Sequence, residues 1–167
     1  LLLDGSFQAA LFLTGWPERF LFECSLLYHG EIILKITAAF ATDEGKNFIE
    51  RHFGDARYFD IYVIDENSSS FLKRIDNYTG KDEGEEVHGD PVKAGGIMEL
   101  LSQVKVNVAV SKNFGPNINR ILKKFACVRM VGNDIAEGIN QIQKNLAMVY
   151  AELDKDEGRR HITLTTS

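Results

Sequence analysis

Between Leu34 and Thr42 most positions are apolar, and the run stops at the polar loop Asp43-Glu44-Gly45-Lys46. A short apolar run bounded in this way suits a buried strand. Tyr58 to Asp65 and Phe71 to Tyr78 carry aromatic and β-branched residues on either side of Asn67-Ser68-Ser69-Ser70. That pattern predicts an antiparallel hairpin. After the polar stretch Gly80 to Gly89 the period changes. Asp90-Pro91 reads as an N-cap followed by proline at the first helical position. Ile97, Leu100, Leu101 and Val104 then fall on one helical stripe, although the Gly95-Gly96 pair weakens the helix. Val106 to Val110 predicts a strand, and Gly115-Pro116 opens a second helix with Ile118, Ile121, Leu122 and Phe125 on its buried face. Val128 to Val131 predicts a further strand. Gly132-Asn133-Asp134 caps a last helix, whose apolar line runs Ile135, Ile139, Ile142, Leu146, Val149 and Leu153. Residues 154–167 read as a flexible tail.

In order this is β-β-β-α-β-α-β-α, an α/β domain over residues 34–153 with a mixed five-stranded sheet whose later strands run parallel. Ligands collect at the C-terminal edge of such sheets, near the point where the winding reverses. The loop after Thr42 and the loop Ser111 to Gly115 belong to that edge.

Composition narrows the class. At 167 residues, 44% apolar and 26% charged, the chain suits one globular domain with a real core. A net charge of −5 argues against general nucleic-acid binding, which needs a basic face. Cys24 and Cys127 are too few for a disulfide framework, so a reducing, cytoplasmic setting is expected. Residues 1–33 are apolar pieces cut by Pro17, Glu18, Arg19 and Glu23; none reaches the roughly 18 residues of a membrane span, and no signal-peptide pattern is present. The expectation is a functionally idle N-terminal extension upstream of a start at Leu34, with an extra helix or hairpin packed on the domain as the alternative.

The densest candidate chemistry is His52-Phe53-Gly54-Asp55-Ala56-Arg57, which joins a metal-capable imidazole to a glycine that lets the backbone turn, between two strands. With Ile36 to Asp43, Tyr58-Phe59, the hairpin and Asn113-Phe114-Gly115-Pro116, this segment resembles the dinitrogenase iron-molybdenum cofactor biosynthesis family, the NifX-type nitrogenase accessory proteins, over roughly residues 34–150. The resemblance implies a ribonuclease-H-like three-layer fold and non-catalytic binding or carriage of a metal-sulfur cluster: iron-molybdenum cofactor, its precursor or a relative. The family's cluster contact falls on His52, with Phe53, Gly54, Arg57, Lys112, Asn113 and Gly115 around it and His88 as a second metal candidate. Cluster donor or acceptor proteins are the implied partners, with no nucleic acid and no membrane.

The residues agree in part. A four-thiolate iron-sulfur site is not available where Cys127 is the sole cysteine of the matching region. Zinc is disfavoured because His52, His88, Cys127 and His161 are far apart in sequence. A preassembled cluster carrying its own sulfide needs only one or two protein ligands, and Lys112, Arg57 and a helix N-terminus at Pro116 would favour its negative charge by about 0.3 to 1 kcal/mol per charge at the helix end.

Other readings stay open. The domain could be a cluster-free interaction or regulatory module. A two-metal hydrolase using Asp43, Asp60, Asp65 and Asp76 ranks lower, because their spacing gives little support for convergence. No Ser-His-Asp or Cys-His arrangement, P-loop or dinucleotide fingerprint occurs. Each candidate also has a structural role open to it: His52 capping a turn, His88 solvated in an acidic loop, Cys127 filling the core, Arg57 pairing with Asp55 or Asp60, and Asn113 and Asn117 shaping a turn.

Overall fold

The structure is a computed structural model that describes residues 27–28, 31–32, 34–78 and 91–166. The chain divides into two compact units, Leu1–Leu34 and Lys35–Ser167. In the first, Leu27–Tyr28 (β1) and Glu31–Ile32 (β2) pair antiparallel.

The second unit is built on a six-stranded sheet of Lys35–Thr42 (β3), Tyr58–Asp65 (β4), Ser69–Asp76 (β5), Val108–Ser111 (β6), Ala126–Val131 (β7) and Ile162–Thr165 (β8), in the order β5-β4-β3-β6-β7-β8. β3, β4 and β5 form an antiparallel meander, while β3, β6, β7 and β8 run parallel. The sheet is therefore mixed, and its winding reverses between β3 and β6.

Both faces are covered, as expected when parallel strands are buried. On one face Ala39, Ala41, Phe59, Ile61, Ala109 and Cys127 pack with Ile97 and Leu101 of helix Pro91–Gln103 (α1) and with Ile121 of the short helix Ile118–Ile121 (α2). On the other, Ile135–Lys144 (α3) and Leu146–Leu153 (α4) supply buried Ile135, Ile139, Ile142, Leu146 and Val149. Asp134 caps α3 by accepting from the Glu137 N–H at 3.0 Å. Gly138 lies where α3 meets Phe48: a Cβ there would sit 2.8 Å from the ring.

The sequence expectation needs correcting at several elements. The sheet has six strands rather than five, because Ile162–Thr165 is a strand and not part of a loose tail; Ile162 and Leu164 are buried against the core while β8 pairs with β7. Arg159 fixes the approach to β8, donating to the carbonyls of Glu152 at 3.1 Å and Leu153 at 2.9 Å, so its guanidinium closes the exposed end of α4. The helix expected from Gly115-Pro116 starts only at Ile118 and spans 4 residues. The last helix breaks at Asn145, whose φ of −116° and ψ of 23° leave helical geometry. The hairpin's second strand is Ser69–Asp76, displaced from the expected Phe71 to Tyr78. Asp90, expected as the cap of α1, lies outside the described residues, as does His88.

Candidate functional site at the β3/β6 edge

The loops leaving β3, β6 and β7 are stitched together. Thr42 starts the first loop: its hydroxyl accepts from the Gly45 N–H at 2.8 Å and donates to the Asn47 carbonyl at 2.8 Å. Phe48 N–H donates to Asn133 O at 2.8 Å, and Ile135 N–H to Lys46 O at 2.9 Å, tying that loop to the start of α3. Further along, Asp43 holds Arg51 at 2.8 Å and accepts from the Arg57 N–H at 3.0 Å. Partial burial raises its carboxyl pKa, but the hydrogen bonds from Arg57 and Arg51 and their positive charges outweigh it and leave the group below the usual carboxylate value.

His52 sits at the next turn. Its backbone forms a parallel bridge with Asn113, Phe53 N–H donates to the Asn113 carbonyl at 2.7 Å, and the Asn113 amide donates to Glu50 O at 2.8 Å. The loop after β3 is thus laid alongside the loop after β6 at the winding reversal. Phe53 anchors it from beneath: its ring is 1% exposed, with ring centroids 4.9 Å from Phe59 and 5.5 Å from Phe114.

This anchoring leaves the His52 imidazole outside the core, with its side chain 52% exposed. Among the described residues the ring makes no hydrogen bond; the Asp55 carboxylate stands 3.8 Å from Nδ1. Gly115 lies directly against the ring. Its φ is +48°, and a Cβ would fall 2.9 Å from the imidazole Cγ. Glycine is therefore required here both for the left-handed backbone and for the approach of the ring.

The predicted site residues thus separate into those the fold brings together and those it does not. His52, Asn113 and Gly115 are in direct contact, and Phe53 supports them from the core. Gly54 faces away, its carbonyl accepting from the Asn77 amide at 2.9 Å. Lys112 is on this edge but engaged, paired with Glu50 and 2.7 Å from Asn133 Oδ1. The Arg57 guanidinium lies 5.6 Å from the centroid of the Tyr58 ring. Cys127 is buried in the core, where desolvation pushes its thiol up to about 12. A thiol in that state supplies no thiolate near neutral pH.

An open groove of about 260 Å³ runs along this edge, lined by Asn113, Phe114, Gly115, Ile118, Arg129 and His161. Arg129 and His161 were not expected at the site. The sequence signal for them was weak, because one lies mid-strand and the other precedes a strand hidden in the tail.

Of the carboxylates of the hydrolase reading, Asp43 is taken up by Arg51 and the Arg57 N–H, and Asp60 and Asp65 are engaged in the meander. Asp60 is 3% exposed and bound twice by Arg74, at 2.6 and 2.9 Å. Asp65 accepts from the backbone of Asn67 and Ser68 in the hairpin turn, at 2.8 and 2.6 Å. Among the described residues no group of three or more His, Cys, Asp or Glu side chains could hold a metal ion.

The fold is an α/β domain whose β3/β6 edge carries an exposed imidazole on a loop. The family described as dinitrogenase iron-molybdenum cofactor matches residues 34–145, and the chain belongs to it. The chain is similar to a crystal structure of a candidate dinitrogenase from Methanocaldococcus jannaschii, with 24% identity, 66% of this chain and 90% of that one covered, and a TM-score of 0.48. It is also similar to an NMR structure of a candidate dinitrogenase from Methanococcus jannaschii, with 20% identity, coverage of 68% and 91%, and a TM-score of 0.44. No curated protein matches the chain. Among the described residues no helix is long and apolar enough to cross a membrane.

Proposed function

We propose that this protein binds and carries a preassembled metal-sulfur cluster, namely iron-molybdenum cofactor, its precursor or a related cluster, and catalyses no reaction itself. The family's association with that cofactor supports the reading. The observation that carries it is the His52 ring, half exposed, free of hydrogen bonds among the described residues, and held over Gly115 at the reversal between β3 and β6. A histidine that served only to cap a turn would spend its ring nitrogens on the backbone; the N-terminal end of the turn Phe53–Asp55 has no such side-chain bond.

A cluster that brings its own sulfide needs few protein donors, which fits an edge where the described residues offer the open imidazole of His52 and no thiolate. Asn113 and Gly115 then shape the hollow, Phe53 and Gly54 fix the loop, and Lys112 and Arg57 contribute positive charge at longer range. Donor and acceptor proteins in the cytoplasm would be the partners, and His88 is a second ligand candidate. The order β5-β4-β3-β6-β7 supports a ribonuclease-H-like reading of the fold, with β8 as an added edge.

The test is anaerobic loading with isolated iron-molybdenum cofactor, followed by desalting and metal analysis. The wild-type chain is expected to retain molybdenum and iron. His52→Ala should lose retention by about tenfold or more, each tenfold being about 1.4 kcal/mol. Equal retention by the variant would overturn the assignment of His52.

A further inference from the structure

Arg129 of β7 and His161, just before β8, line the groove, two and three strands away from β3 in the sheet. β7 and β8 run parallel with Arg129 opposite Thr163 and Val128 opposite Ile162. Side chains alternate between sheet faces, so positions 129, 161 and 163 share one face. That is the face of Cys127 and α2, over which the Asn113–Ile118 segment lies. Cys127 is covered and buried; Arg129, two residues further toward the strand ends, is exposed.

The Arg129 side chain is aimed and only partly used. Its Nε donates to the Lys112 carbonyl at 3.1 Å, which fixes the guanidinium beside the loop after β6. Among the described residues its two terminal nitrogens have no partner, and neither does the His161 ring. A guanidinium held by one N–H with its outer nitrogens open presents a planar fork that matches two adjacent acceptor atoms of an anion. Phe114 and Ile118 supply the apolar floor. Among the described residues no carboxylate lines the groove, so none of them competes for that fork.

We infer that Arg129 and His161 form an anion-binding wall that takes a sulfur-bearing inorganic anion, either free or as the exposed edge of a larger cluster. The inference rests on the carrier reading above and extends it: His52, which abuts the groove-lining Gly115, supplies coordination at the loop, while Arg129 and His161 in the groove supply charge and a hydrogen bond. His161 belongs to the segment after residue 145, outside the part of the chain that the family matches. The wall is thus completed by the residue that leads into β8, in a segment beyond the matched one.

The probe is tetrathiomolybdate alone, titrated anaerobically into the full chain by absorbance and calorimetry, with inorganic phosphate as competitor. Arg129→Gln and His161→Gln are each expected to weaken binding by about tenfold, the scale of one lost charge-assisted hydrogen bond. Both positions are exposed, and thermal melts should show folded variants. Affinity unchanged in both variants would overturn the inference, as would phosphate displacing the probe at equal concentration. The two readings fail separately. If His52→Ala keeps iron-molybdenum cofactor while Arg129→Gln loses tetrathiomolybdate, the ligand assignment falls and the anion wall stands; the reverse pair of results removes the wall and leaves His52.

Discussion

At the scale of single residues, the site depends on a glycine as much as on a histidine. His52 can stand free of the core because Phe53 takes the buried position beside it, and it can lie close against the neighbouring loop because Gly115 has no Cβ. Gly115→Ala should therefore cost about 1 to 2 kcal/mol from the left-handed backbone alone and displace the imidazole as well. A lowered melting temperature together with cluster retention as poor as that of His52→Ala is the expected pair of results. An unchanged melt with full retention would show that the two loops are not packed as described. The histidine and the Gly-Pro loop were both legible in the sequence as motifs. The engagement of Lys112 by Glu50 and Asn133 was not, since those partners lie 62 and 21 residues away and only the folded loops bring them together.

At the scale of elements, long runs of clear period were readable and short ones were not. β3 and β4 appear where the apolar and aromatic runs place them, because eight residues with a buried face leave little choice of register. β8 offers only Ile-Thr-Leu-Thr after the charged segment Lys155 to Arg160, too short a pattern to separate from a polar tail. What makes it a strand is non-local: pairing with β7, burial of Ile162 and Leu164, and the tether through Arg159. α2 fell short of its pattern for a related reason. Ile118, Ile121, Leu122 and Phe125 keep helical spacing, but the chain must turn by Phe125 to enter β7 at Ala126. Leu164→Ala should destabilise the unit by about 2 to 5 kcal/mol, as for other buried leucines, while Thr163→Ala, on the exposed positions of the same strand, should stay within about 0.5 kcal/mol. Urea denaturation of the two variants distinguishes this from a loose tail, for which both changes would be neutral.

At the scale of the whole sheet, function follows from topology. An antiparallel meander on one side of β3 and parallel strands on the other send the chain in opposite directions from the β3/β6 junction, where the loops after the two strands are bridged and the exposed imidazole sits. That point could be named from the order of elements alone. The second wall of the groove could not, because it needs β8, the strand the sequence concealed. The most direct measurement on the central claim is pulsed electron paramagnetic resonance of the cofactor-loaded chain carrying ¹⁵N-histidine. A nitrogen coupling from a directly bound imidazole is expected in the wild type and should vanish in His52→Gln; a loaded cluster with no histidine coupling, or one that survives this substitution, would contradict the account.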